Sequence, residues 1–219
     1  MKILFTGGGT GGHFYPIIAI AEAIHEEAKV KKILTPQLFY MAPTKYNPRA
    51  LFDNDIEFIQ VSAGKVRRYF SLLNITDGVK TAYGIIVALF KVFSLYPDVV
   101  FSKGGYASFP ILVAARLWRI PVIIHESDSH PGRVTAWAAK FAKRIAVSYP
   151  DAADYFSEKD RPKIAFTGNP IRHELIAPLS TGAREYLKLE KKTPVIFIIG
   201  GSHGSVAIND VIIESIADL

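Results

Sequence analysis

The sequence predicts an α/β protein built on a doubly wound parallel sheet. Three observations carry that expectation. Short runs rich in β-branched and aromatic residues alternate with stretches of helical patterning. Several of those runs are apolar at nearly every position, as strands buried on both faces are. Glycine-rich loops follow the runs at the points where a strand turns into a helix.

Taken in order, residues 2–5 read as a first strand that runs into Gly7-Gly8-Gly9-Thr10-Gly11-Gly12. A helix is predicted over 14–28, with Pro16 in its first turn, where a missing N–H costs nothing. Residues 38–42 and 58–61 are the next strands, and 76–95 reads as a long helix, apolar over much of its surface. Residues 99–102 form a buried strand ending at Lys103-Gly104-Gly105-Tyr106. A helix over 108–118, a strand over 122–124, a helix over 133–142 and strands over 145–147 and 164–166 complete the series. Such sheets bind ligands at the carboxyl ends of their strands, where the glycine loops and His125-Glu126 fall.

A boundary follows. Residues 180–193 are polar and charged, whereas 194–199 are continuously apolar and read as a central strand. That strand would end at Gly200-Gly201-Ser202-His203-Gly204, with a helix from about Val206, which restarts the pattern of the N-terminus. The expected division is a Rossmann-like domain over 1–175, a linker over 176–193, and the opening strand–loop–helix of a second, incomplete Rossmann-like domain over 194–219. One strand and one helix cannot bury a core of their own.

Composition narrows the function. The 219 residues carry 26 Lys and Arg against 20 Asp and Glu, a net charge of +6. Residues 60–144 hold twelve basic and four acidic groups, so the whole excess lies in one stretch and an anionic surface or ligand is expected there. No cysteine is present, which excludes a disulfide scaffold and thiolate metal sites and suits a reducing compartment. Met1 runs straight into a strand-like segment, so no signal peptide is expected. The longest apolar run, 83–96, contains Lys91 and is shorter than the ~20 residues a bilayer span needs.

Gly7, Gly9 and Gly12 satisfy G-x-G-x-x-G, a turn that lets backbone approach a phosphate at a helix N-terminus. A nicotinamide site would add a carboxylate after the second strand, and that strand ends at Ala42-Pro43-Thr44; a P-loop would add Lys where His13 stands. His13 reads as a general base, as a phosphate ligand, or as an uninvolved residue at a helix start. His125, Glu126, Asp128 and His130 bring two imidazoles and two carboxylates to the ligand edge, where they could hold sugar hydroxyls or take a proton. No second acidic cluster accompanies them, so no metal site is expected. Gly168-Asn169-Pro170-Ile171-Arg172 offers a cation after a turn. On the long helix, Ile85, Ile86, Leu89, Phe90 and Phe93, flanked by the basic excess, form the kind of surface an interfacial membrane protein needs. A buried core helix with a solvated basic flank is the alternative.

Thr6–His13, Gly104-Gly105-Tyr106, His125-Glu126 with Pro131-Gly132, Gly168–Arg172 and Gly200–Gly204 occur in that order. As an ordered set over essentially the whole chain, they resemble the MurG family of bacterial glycosyltransferases. The resemblance implies a GT-B fold, two Rossmann-like domains facing across a cleft. It implies an inverting transferase that moves N-acetylglucosamine from UDP-N-acetylglucosamine to the muramyl 4-hydroxyl of lipid I, giving lipid II in peptidoglycan synthesis. By resemblance, His13 is the candidate base and Glu126 the runner-up. Thr10, Gly11, Gly12, Asp128, Arg172 and Ser202 contact the donor, and Gly8, Gly9, Gly104, Gly105 and Tyr106 cradle the acceptor diphosphate. Ile85, Ile86, Leu89, Phe90, Phe93, Trp118 and Lys140 would dock on an anionic membrane surface, at the cytoplasmic face of the cell membrane. No cofactor is implied, a divalent cation being stimulatory at most. Asp128 stands where the family often has Asn, and His203 where it usually has Gln. The 219 residues alone are expected to be inactive for want of the rest of the donor domain. Alternatives are the acceptor-binding subunit of a split glycosyltransferase, another GT-B enzyme, or a nucleotide-sugar epimerase. Nucleic acid is not an expected partner, because the basic stretch holds no recognised nucleic-acid module.

Overall fold

The structure is a computed structural model that describes residues 1–65, 71, 73–177, 181–190, 193–200 and 204–216. The chain divides into two compact units, Met1–Ile176 and Ala177–Leu219.

The first unit is a seven-stranded, all-parallel sheet. Its strands are β1 (Lys2–Thr6), β2 (Gln37–Ala42), β3 (Ile56–Gln60), β4 (Val99–Ser102), β5 (Val122–Glu126), β6 (Arg144–Val147) and β7 (Ile164–Phe166). They lie in the order β3-β2-β1-β4-β5-β6-β7. Thr6 sits beside Met41 on one side and Ser102 on the other, so β1, β2 and β4 end level with one another. The order reverses direction at β1. The helices that follow β1 and β4 therefore lie on opposite faces of the sheet, and the ends of these two strands are the usual ligand position in such sheets.

Both faces of the sheet are covered. Ile3 and Phe5 of β1, with Leu38 and Tyr40 of β2, pack under Phe14, Ile17 and Ile18 of α1 (Gly11–Val30). Leu4, Met41, Val100 and Ile124 face the other way, against Ala88 and Val92 of α3 (Leu73–Leu95), Ile111 and Leu112 of α4 (Phe109–Leu117) and Ala138 of α5 (Arg133–Ala139). Neighbouring residues of β1 thus serve opposite cores, which is why these strands read as continuous apolar runs.

Three local departures from the sequence reading bear on the site. Helix α1 starts at Gly11, inside the glycine loop, so Pro16 is its sixth residue and not part of the first turn. Its ring leaves the Gly12 carbonyl without the usual i+4 donor. Strand β5 continues through His125 and Glu126, which places both in the sheet. A short helix, α2 (Pro48–Asp53), occupies a stretch to which no element was assigned; Asn47 caps it by accepting from Ala50 N–H at 3.1 Å, and Pro48 takes its first position. After β7 the first unit closes with α6 (His173–Ile176).

In the second unit, α7 (Ala183–Tyr186) and α8 (Val206–Ser215) are helical, and Ser205 caps α8 from Ile208 N–H. Residues 194–200 lie in no strand, contrary to the expectation for 194–199, and Val195–Ile199 are solvent-exposed along their length. A parallel strand is held by ladder bonds to a neighbour, and no strand among the described residues of this unit supplies one. Ser202 and its loop neighbours Gly201 and His203, and the basic residues Arg67 and Arg68, lie outside the described residues.

Candidate active site at the switch point of the sheet

The loops after β1 and β4 touch. Gly9 has φ +98°, and a Cβ there would fall 2.7 Å from the Tyr106 ring. Gly105 has φ +78°, and its Cβ would sit 3.1 Å from the Gly8 carbonyl and 3.4 Å from His13 Nε2. Only glycine fits these positions, where backbone meets backbone and a ring nitrogen in a conformation that disfavours side chains. Beside them a cavity of about 430 Å³ opens, lined among others by His13, Lys103, Gly105, Tyr106, Glu126, Asp128 and Arg133. Phe109, Val134 and Trp137 add apolar lining, and Thr81 of α3 also reaches it. A larger hollow of about 940 Å³ lies at the opposite end of the sheet, at the start of β2, among Glu22, Glu26, Asp53, Asp55 and Glu57. The switch-point cavity is the better site because the loops, the helix N-terminus and the buried ionisable groups all converge on it.

His13 is the third residue of α1. The side chain of Thr10, at the N-cap, accepts from no helix N–H group, although its carbonyl accepts from His13 N–H at 3.2 Å; its Oγ1 lies 2.9 Å from His13 Nδ1. The N–H groups of Gly11 and Gly12 have no partner among the described residues, leaving the positive end of a 20-residue helix open. Burial lowers the His13 pKa from its ordinary 6.5, and the Lys103 charge lowers it further, against smaller opposing effects of Glu126 and Asp128. The imidazole is therefore neutral at neutral pH, with Nε2 at the loop contact beside Gly105.

Glu126 is only 6% exposed and both its oxygens are occupied. Oε1 accepts from Ser127 N–H at 3.0 Å and Asp128 N–H at 3.2 Å, and Oε2 accepts from Gly132 N–H at 3.1 Å. The carboxylate thus ties down the 127–132 turn that carries Asp128. His125, 2% exposed, donates from Nε2 to the Gly168 carbonyl at 3.1 Å, which fixes its tautomer and leaves Nδ1 buried and unpaired. Burial first, then the Lys103 charge, lowers the His125 pKa. Ser148 donates to Asn169 Oδ1 at 2.7 Å, so His125 and Ser148 together anchor the 168–172 loop to the sheet.

The predicted residues divide accordingly. His13, Gly105, Tyr106, Glu126 and Asp128 line one cavity, Gly8, Gly9 and Thr10 contact its walls, and Gly104 packs against Thr135, another lining residue. Arg172 does not line this cavity: its guanidinium stacks over the Tyr15 ring at 4.1 Å and pairs with Glu174. A Cβ on Gly11 would meet the Tyr46 hydroxyl at 2.7 Å, so Tyr15 and Tyr46 wall the helix start, a role no local pattern announces. Lys103 was not among the predicted site residues. A lysine ending a buried strand at the ligand edge is the signal that could have marked it.

The long helix α3 meets the length and apolarity of a membrane span, longer than the run read from sequence. Its Gly84, Ala88 and Val92 are buried against the domain, so one side is committed to packing. Ile75, Val79, Tyr83, Ile86, Phe90 and Phe93 recur at three- and four-residue steps and are exposed. Trp118 extends this stripe, its ring 4.7 Å from that of Phe93 and its Nε1 donating to the Leu89 carbonyl. Ile85 and Leu89 do not join the exposed face; both are half-buried, Leu89 against the core. Lys140 is exposed at the end of α5.

Residues 3–147 match the glycosyltransferase family 28 N-terminal domain. The chain is 39% identical, over 98% of its length, to a Treponema denticola protein named UDP-N-acetylglucosamine–N-acetylmuramyl-(pentapeptide) pyrophosphoryl-undecaprenol N-acetylglucosamine transferase. It is 35% identical over its whole length to a Bacillus thuringiensis transferase of the same name, numbered 3. It spans 56% and 59% of those two proteins. The crystal structure of Acinetobacter baumannii MurG superposes with a TM-score of 0.57 at 25% identity, over 82% of this chain and 48% of that one. With two thirds of its sequence matched, with a parallel sheet wound as in the A. baumannii structure, and with its glycine loops meeting at the switch point, the chain belongs to glycosyltransferase family 28 and carries that family's N-terminal domain.

Proposed function

We propose that the chain is the acceptor-binding part of an inverting transferase of peptidoglycan synthesis. In this reading N-acetylglucosamine passes from UDP-N-acetylglucosamine to the muramyl 4-hydroxyl of lipid I, giving lipid II. The observation that carries it is the His13 arrangement: a neutral imidazole at a helix N-terminus, Nδ1 at Thr10 Oγ1, Nε2 at the meeting point of two glycine loops. With Nδ1–H donated to Thr10, the Nε2 lone pair takes the proton of the attacking hydroxyl. The oxygen then bonds to the anomeric carbon from the face opposite UDP, the bond to the diphosphate oxygen breaks, and the configuration inverts. Glu126 suits a positioning role, since three backbone N–H groups bind its carboxylate and tie it to the 127–132 turn.

In this reading Gly8, Gly9, Gly104, Gly105 and Tyr106 cradle the acceptor diphosphate. Thr10, Gly11, Gly12, Asp128, Arg172 and Ser202 face the donor, held mainly by a second domain. The exposed stripe of α3 with Trp118, among Lys80, Arg116 and Lys140, rests on the anionic cytoplasmic face of the cell membrane. Thr81 joins that helix to the cavity, so a lipid-borne substrate reaches the site along it.

The test is transfer of labelled N-acetylglucosamine to a lipid I analogue by a protein of the relatives' length that carries this chain. β-1,4-linked product supports the reading, and its absence refutes it. The 219 residues alone are expected to bind the lipid I analogue without turnover; robust turnover would refute the division of labour.

A further inference from the structure

We propose that Lys103 is a further substrate-binding residue. Its ammonium, which lines the switch-point cavity without a protein hydrogen bond or ion pair, receives a phosphate oxygen of a diphosphate ester. The inference rests on the acceptor-binding reading above and adds to it a residue type that the glycine loops do not imply.

Lys103 is 3% exposed, yet it lines the cavity. Its backbone is fixed, N–H donating to the Thr6 carbonyl at 2.8 Å, and its Cβ packs where a Cβ on Gly7 would come within 2.9 Å. The side chain therefore leaves the sheet from a set point, between the two loops. Among the described residues, no hydrogen bond or ion pair reaches its Nζ. Lysines buried to this degree normally pair their ammonium with a protein acceptor, and this one meets only the cavity. Lys163 in the same domain shows the ordinary solution, donating to Asp160 at 2.7 Å and to the Ala139 carbonyl. Glu126 does not serve Lys103 in that way: no ion pair joins them among the described residues, and its carboxylate is shared by three backbone N–H groups. Burial lowers the Lys103 pKa, and the charges of Glu126 and Asp128 offset part of that loss.

A free ammonium with three donors, next to an open helix N-terminus and two glycine turns, selects a phosphate group. Phe109, Val134 and Trp137, which also line the cavity, favour an apolar substituent on it. The two together describe a prenyl diphosphate more closely than a nucleotide. A lipid diphosphate and UDP share the same anionic group, so the probes must separate them.

The experiment titrates the 219-residue chain and its Lys103→Met and Lys103→Arg variants with farnesyl diphosphate, inorganic pyrophosphate and UDP, by calorimetry. Thermal unfolding without ligand is followed in parallel. Lys103→Met is expected to weaken farnesyl diphosphate at least tenfold and pyrophosphate in step, with UDP unaffected, and Lys103→Arg to retain more affinity than Lys103→Met. Because Met removes a charge that burial disfavours, the ligand-free melting temperature of Lys103→Met is not expected to fall, which separates a binding role from a structural one. Equal affinity of Lys103→Met and the unaltered chain for farnesyl diphosphate would overturn the inference. So would no binding by either, a loss confined to UDP, or weaker binding with a lower melting temperature. Diphosphate binding that depends on Lys103 without any sugar transfer would sink the transferase reading alone; transfer with Lys103→Met fully active would sink this inference alone.

Discussion

Glu126→Gln tests whether the buried carboxylate holds the turn or does chemistry. The carboxylate accepts three backbone N–H bonds, two at Oε1 and one at Oε2, in a residue 6% exposed. A glutamine keeps one acceptor. If its carbonyl oxygen faces Ser127 and Asp128, its NH₂ group points at the Gly132 N–H, and one buried donor goes unpaired at a cost of about 1–3 kcal/mol. The two remaining bonds also lose their charge assistance. The sum is about 2–4 kcal/mol, which for a domain of this size lowers the melting temperature by roughly 5–15 °C. The assay is thermal and urea unfolding of the chain at pH 7, with Asp128→Asn, an exposed neighbour, as the control. A Glu126→Gln variant within about 0.5 kcal/mol of the parent, the range of a neutral surface change, would refute the positioning argument and return Glu126 to the list of candidate bases.

Three further outcomes follow from the same geometry. His13 and His125 are expected to titrate below 6.5 by NMR, because burial and the Lys103 charge favour their neutral forms. The unfolded chain then binds more protons than the folded one just below pH 6.5, so stability contributed by these groups is full above that pH and is lost as pH falls; midpoints at or above 6.5 would contradict this. Gly105→Ala is expected to destabilise the domain by about 1–3 kcal/mol, since φ is +78° and the new Cβ meets the Gly8 carbonyl at 3.1 Å; unchanged urea midpoints would count against the loop contact. Phe90→Asp, at a site 72% exposed, is expected to leave stability within about 0.5 kcal/mol while cutting sedimentation with anionic phosphatidylglycerol vesicles severalfold; equal sedimentation would remove α3 from the proposed membrane face.

Much of the first unit was legible because parallel strands covered on both faces must be apolar throughout. That is how β1, β4 and β6 declared themselves within a residue or so of their observed ends, while the more exposed edge strand β7 was legible from its apolar run alone. The misses share a cause. Strand β5 was cut short at Ile124 because His125 and Glu126 look like loop residues; they remain in the sheet only because the Gly168 carbonyl and three backbone amides satisfy them, partners no local window contains. The start of α1 was placed late because glycines are poor helix formers, yet here they open the helix where backbone must approach backbone. Ile85 and Leu89 were read with the exposed face because composition does not tell which side of an apolar helix meets α4. The candidate site was legible as motifs, His13 above all. Lys103 was not, because its meaning lies in its burial and in the missing partner.

Transfer of labelled N-acetylglucosamine from UDP-N-acetylglucosamine to a lipid I analogue, measured in a protein of the relatives' length carrying this chain with His13 intact and with His13→Ala, bears most directly on the proposed chemistry. β-1,4-linked product is expected from the intact protein, with a rate lowered about 10²–10⁴-fold in the variant, the usual contribution of a general base. No product from the intact protein, or an unchanged rate for His13→Ala, would contradict it.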